Sequence, residues 1–120
     1  MRIVIDLDGT ICPIKKTGES YKDLPVHEGA VEKIRELRKE GHYIIIQTAR
    51  NMATCEGNLG KVMKNVGKIT LEWLENHQVE YDEIYFGKPN ADLYIDDRAL
   101  RFETWDLIKE EYLIKMGKDR

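Results

Sequence analysis

Asp6 and Asp8 are the residues of this chain whose types and spacing most directly suggest chemistry. In an extended strand side chains alternate, so both acids point to one side and Leu7 to the other. The preceding run Ile3, Val4, Ile5 has no polar alternation, which suits a strand buried on both faces in a parallel sheet. Gly9 then lets the backbone turn away, and Thr10 can hydrogen-bond within that turn. Two carboxylates at the carboxyl end of a central strand repel each other, and a bound divalent cation relieves that repulsion. Oxygen-only ligands suit Mg²⁺. Taken alone, Asp-Leu-Asp-Gly also reads as an acidic β-turn, so the rest of the chain has to decide.

The elements that would position such a pair can be read in order. Residues 11–26 hold Pro13, Gly18 and Pro25 among polar residues and read as a loop or flap. A helix is expected from about His27-Glu28 to Lys39-Glu40, with Ala30, Ile34 and Leu37 inward and Gly41 ending it. Its charged residues read as solvated pairs one turn apart. Residues 43–47 form a second apolar strand, ended by Thr48, Ala49 and Arg50. Val62, Val66, Ile69 and Trp73 repeat at helical spacing within 61–77, despite Gly67. His77, at the end of that helix, reads as a cap or a solvated residue.

A third strand is expected over 81–86, closed by Gly87-Lys88-Pro89, and a fourth over 92–95, ending at Asp96-Asp97. A short edge strand is expected over 99–102. A last helix would be capped by Thr104 and run to about Met116, with 118–120 frayed. Strands alternating with helices make a parallel α/β sheet.

Bulk properties narrow the partners. A chain of 120 residues fits one domain, 1–120, and a net charge of -3 offers no general attraction to nucleic acid or anionic lipid. No apolar run approaches the ~20 residues that span a bilayer, and the first strand is too short for a signal-peptide core. Cys12 and Cys55 have no framework spacing, which fits reduced thiols in a cytoplasmic protein and inert spacers near the site loops.

Four strand ends therefore carry polar residues: Asp6 with Asp8, Thr48, Lys88, and Asp96 with Asp97. In a parallel sheet these ends share one edge. Carboxylates able to hold a metal, a hydroxyl donor and an ammonium suit phosphoryl transfer, where catalysis is mainly positioning and charge neutralisation.

At this point the sequence resembles the haloacid dehalogenase superfamily phosphatases over essentially its whole length. IVIDLDGT resembles the first motif, IIIQT the second, Lys88 in FGKP the third and LYIDD the fourth. The resemblance implies a Rossmann-like three-layer α/β sandwich with a mostly parallel central sheet. It also implies Asp6 as nucleophile and Asp8 as acid and base, the Asp8 carbonyl serving in addition as a Mg²⁺ ligand. Thr48 would donate to the phosphoryl oxygens, with Gly9, Thr10 and Ala49 lining their binding place. Lys88 would neutralise developing charge, and Asp96 and Asp97 would join Asp6 and Asp8 around the metal.

GHYIIIQTAR and the stretch from Tyr81 to Phe102 are similar to small superfamily phosphatases of capsule and surface-polysaccharide synthesis, which implies a phosphorylated sugar. Arg50 is a candidate anchor for a second phosphate or a carboxylate, weighed against a surface salt bridge. The segments 11–43 and 49–87 each already contain a helix, so no separate cap domain fits. The capless subgroup accepts large substrates or closes its site with a neighbouring subunit, so a homo-oligomer is expected. Lys15, Lys16 and Tyr21 read as solvated, with substrate contact the alternative.

Rival functions remain on the same residues. A nucleotide or polynucleotide-end phosphatase shares the fold, though the -3 charge disfavours nucleic acid. A phospho-receiver domain would need an acid ending the second strand, where Thr48 stands. An inactive binding module would not need the full motif set.

Overall fold

The β-branched runs pair as their apolar patterns require. In the computed structural model, which describes residues 1–117, β1 (Arg2–Asp6) lies parallel to β2 (Tyr43–Thr48), with Ile3 opposite Ile44 and Ile5 opposite Ile46. β3 (Glu83–Phe86) lies parallel on the other side of β2, with Ile84 opposite Ile46. The sheet order is β1-β2-β3, each step a crossover through helix.

Between β1 and β2 runs α1 (Ala30–Lys39). Between β2 and β3 a continuous helical stretch comprises α2 (Leu59–Val62), a π turn (Met63–Gly67) and α3 (Lys68–Asn76). Ala30, Ile34 and Leu37 of α1 share one cluster with Ile5, Ile44 and Ile46 of the sheet and Trp73 and Leu74 of α3. Each such buried aliphatic side chain contributes ~1.5–3 kcal/mol. No helix among the described residues is long and apolar enough to cross a membrane.

Several boundaries differ from the sequence expectations. The first helix begins at Ala30, not His27, because the His27 amide donates to the Ile11 carbonyl and the ring Nδ1 lies 3.1 Å from the Thr10 carbonyl. Those contacts hold His27 outside the helix, and Gly29 turns the chain at φ 85°. The helix expected over 61–77 starts earlier and contains the π turn, whose buried Val66 and Gly67 keep the apolar face continuous. His77 does end that helix, its ring packed 4.3 Å from the Trp73 ring.

The fourth strand does not form. Residues 92–95 are irregular, with Leu93 67% and Ile95 93% exposed. The Tyr94 hydroxyl donates to the Pro89 carbonyl and its ring covers Lys88, which folds the segment back on the preceding turn. β1 is consequently an edge strand, and Val4 is 55% exposed instead of buried. The edge strand expected over 99–102 is also irregular. At the carboxyl end a short 3₁₀ turn (Trp105–Leu107) precedes α4 (Glu110–Gly117), and Thr104 makes no side-chain cap. The fraying expected at 118–120 lies outside the described residues.

Candidate active site

The backbone at the end of β1 closes on itself within one turn. The Leu7 carbonyl accepts from the amides of Thr10, Ile11 and Cys12, and the Gly9 amide donates to the Cys12 carbonyl at 2.7 Å. Gly9 sits at φ 92°, a conformation that a side chain strains. The Trp105 indole N–H donates to the Thr10 carbonyl at 2.8 Å, pinning the turn to the carboxyl-terminal segment. Gly9 and Thr10 thus have an observed role in shaping this turn.

Asp6 and Asp8 have different surroundings. Lys88, from the turn after β3, places its Nζ 3.2 Å from Asp6 Oδ1, and the Thr10 hydroxyl donates to Asp6 Oδ2 at 3.5 Å. Burial nevertheless holds the Asp6 carboxyl above its ordinary value. Lys88 pulls it down, and Asp8 adds a smaller upward push. Desolvation therefore outweighs the ion pair at this carboxyl. The ring of Tyr94 lies 4.3 Å from the Lys88 ammonium, a contact that no sequence pattern signals.

Asp8 is held from the protein side. Thr48, fully buried at the end of β2, donates its hydroxyl to Asp8 Oδ2 at 3.0 Å. Arg50 Nε reaches both Asp8 oxygens at 3.0 and 3.1 Å, and its Nη2 lies 3.0 Å from Oδ1. The Arg50 side chain is 1% exposed, so here it is neither a surface ion pair nor presented to a ligand. Burial behind the first turn explains the difference: its remaining donors go to Thr70 of α3 and Cys12.

Burial, with the Asp8 charge adding to it, pushes the Cys12 thiol up to about 12, which keeps it protonated and makes it a spacer. Both cysteines are free and buried. Ala49 links Thr48 to Arg50 and is half-buried. Lys88 is tied to the same place by its amide, which donates to the Thr48 carbonyl at 3.1 Å.

A cavity of about 860 Å³ runs along β1, and Asp6, Thr10, Lys88, Asp96 and Asp97 share its wall. The irregular chain after Lys88 thus brings Asp96 and Asp97 to the cavity that Asp6 lines, without the strand expected to carry them. Asp96 Oδ1 accepts from the Arg98 amide at 2.9 Å, which fixes a local turn.

The carboxylates of Asp6, Asp96 and Asp97 on this wall are oxygen donors of the kind Mg²⁺ takes. Among the described residues, the cluster of potential ligand atoms within 4.8 Å of one another lies elsewhere, at Glu40, His42 and Glu110. His42 directly precedes β2, at the strand end opposite Thr48.

Residues 3–72 match the model of the haloacid dehalogenase-like hydrolases. A crystal structure of a target protein from Vibrio cholerae is 38% identical in sequence and superposes with a TM-score of 0.85. That match covers 96% of this chain and 94% of the other. No curated protein matches. The matched stretch contains Asp6 and Asp8, β2 with Thr48, and Thr70, which meets Arg50, so this chain belongs to the haloacid dehalogenase-like hydrolase family.

Proposed function

We propose that this hydrolase is a Mg²⁺-dependent phosphomonoesterase of the capless type, working through an aspartyl-phosphate. The observation that carries the reading is Lys88 lying 3.2 Å from Asp6, residues 82 positions apart, on the wall that also holds Asp96 and Asp97. A half-buried acid with an ammonium on one oxygen is oriented and partly neutralised for attack on an anionic ester.

In the first step an Asp6 oxygen bonds to phosphorus while the bond to the leaving oxygen breaks, and Asp8 gives that oxygen its proton. In the second, water attacks the same phosphorus and passes a proton to Asp8. The bond to Asp6 breaks, releasing inorganic phosphate and restoring both acids. Lys88 balances charge on the transferring group throughout. Gly9, Thr10 and Ala49 would form the base on which the phosphoryl group rests; Thr48, fully buried with its hydroxyl donated to Asp8, would hold that acid instead of meeting the phosphoryl oxygens as the sequence implied. Asp6, Asp96, Asp97 and the Asp8 carbonyl would hold Mg²⁺, which neutralises ester and nucleophile charge when bound.

The substrate class we favour is a phosphorylated sugar of surface-polysaccharide synthesis, handled in the cytoplasm. A nucleotide is the alternative within the same chemistry. The supporting feature is an open cavity of about 860 Å³, roomy enough for a sugar phosphate. A kcat/KM panel of sugar phosphates and nucleotides decides between them.

The chemistry is tested with an aryl phosphate. Turnover is expected only with Mg²⁺ present, and Asp6→Asn should abolish it while the thermal melt stays cooperative. Near-normal activity in that variant would remove Asp6 as the nucleophile.

A further inference from the structure

We propose that Arg50 is a positioning residue: a buried strut that fixes the two carboxylate oxygens of Asp8 for proton transfer, and not a contact for substrate. The inference rests on the phosphatase reading above and assigns Arg50 a task within it.

Three observations carry it. First, the guanidinium is sealed, with its side chain 1% exposed and the ring of Tyr21 packed 4.1 Å over its centre. Second, its donors are already used inside the protein. Nε and Nη2 hold Asp8, and Nη2 also faces the Cys12 sulfur at 3.7 Å. Nη1 donates to the Thr70 hydroxyl at 3.0 Å. Every nitrogen of the fork thus has a partner inside the protein, and the seal keeps a phosphate from reaching it. Third, Asp8 lies beyond the last residue of β1, in a turn that depends on Gly9 at φ 92°, so the sheet does not fix its side chain.

The strut is anchored from the opposite wall. Thr70 lies in the first turn of α3, immediately after the π turn Met63–Gly67. A π turn shifts the phase of the residues that follow it. Thr70 is fully buried there, in line with buried Val66 and Trp73. The helix between β2 and β3 thus sets where Arg50 stands, and Arg50 sets where Asp8 stands. Lysine cannot replace it, because one ammonium cannot present a planar fork to Asp8 while also reaching Thr70.

The consequence is specific to one proton. When the ester bond breaks, the Asp8 proton moves to the leaving oxygen, and an alkoxide needs that proton far more than a dinitrophenolate does. Misplacing Asp8 should therefore damage poor leaving groups selectively. Positioned proton transfer is worth ~10²–10⁴-fold, so a misaligned donor should forfeit roughly 10–100-fold of it.

The experiment compares kcat/KM on 2,4-dinitrophenyl phosphate and on glycerol phosphate, with Mg²⁺, for the wild type, Arg50→Lys and Thr70→Val. Arg50→Lys is expected to lose at least about tenfold more on the alkyl ester than on the aryl ester, with KM moving less than about threefold. Thr70→Val, close in shape, should show the same bias at roughly threefold and keep a cooperative melt. Equal losses on both esters would make Arg50 merely structural. A raised KM with kcat unchanged would make it a substrate anchor. Either result overturns the proposal. If Arg50→Lys does not fold, the Thr70→Val pair is decisive by the same criterion. A wild type inactive on both esters is a failure of the phosphatase reading, seen before any variant is compared.

Discussion

Lys88 shows how one side chain can serve the site from far along the sequence. Its amide is bonded to the carbonyl of Thr48 at 3.1 Å, so the end of β2 decides where the ammonium starts. Its ammonium then ends 3.2 Å from Asp6, an acid that burial has made reluctant to ionise. Removing the ammonium removes both the charge that offsets this desolvation and the charge available to the transition state. Lys88→Ala is expected to lower kcat on an aryl phosphate by about 10²–10³-fold. Tyr94 acts one contact further out, through its ring on Lys88. Tyr94→Ala should cost only about 0.5–1 kcal/mol of that support, read as a few-fold loss in kcat, and Tyr94→Phe should keep most of it.

At the scale of elements, α1 is fastened to the approach of β3 by charge. Arg35 Nε and Arg38 Nη1 each lie 2.9 Å from an oxygen of Glu80, and Arg38 Nη2 lies 2.9 Å from Asp82. Asp82 also accepts the Ile44 amide of β2 at 2.8 Å. Both acids are held below their ordinary values, Glu80 by Arg35 first and Asp82 by the Ile44 amide first. A lowered folded value means stability that is present above the unfolded value and lost as pH falls through the folded one. The melting temperature should therefore drop as pH is taken through and below the carboxylate range. Glu80→Gln should melt lower than wild type at pH 7, and the two should converge once Glu80 is protonated. A gap that persists in acid would mean that Glu80 acts through packing instead.

How much of this was legible follows from the same physics. Runs such as residues 43–47 name a buried parallel strand by themselves, and Ala30, Ile34 and Leu37 name a helix face. Residues 92–95 carry the same kind of apolar signal, yet the Tyr94 contacts with Pro89 and Lys88 override it. Asp6, Asp8 and Lys88 were readable because acids and lysine at strand ends are chemically conspicuous. Arg50 was readable only as a residue type. Its burial depends on Thr70, which looks in sequence like one more position of an amphipathic helix.

For the molecule as a whole, the open side of the sheet carries the strongest expectation. Among the described residues β1 pairs with no strand on its outer edge, and Val4 there is 55% exposed; Leu93 and Ile95, which precede the cavity residues Asp96 and Asp97 in the chain, are 67% and 93% exposed. An unpaired strand edge is a template for another chain, and apolar side chains near it add to the gain from covering it. A second copy seated there would narrow the mouth of the cavity that Asp6, Asp96 and Asp97 share with this edge. Each aliphatic side chain so covered is worth ~1.5–3 kcal/mol, enough that one charge in the contact should undo it. Light scattering is expected to give a mass that is a multiple of 14.0 kDa, and Ile95→Asp should return it to that single-chain value. The same variant should lower kcat/KM on the preferred substrate more than on an aryl phosphate, because the neighbour's wall contacts only the larger ester. A wild-type mass of 14.0 kDa would instead leave the cavity open to solvent and turn the search towards bulky phosphate esters.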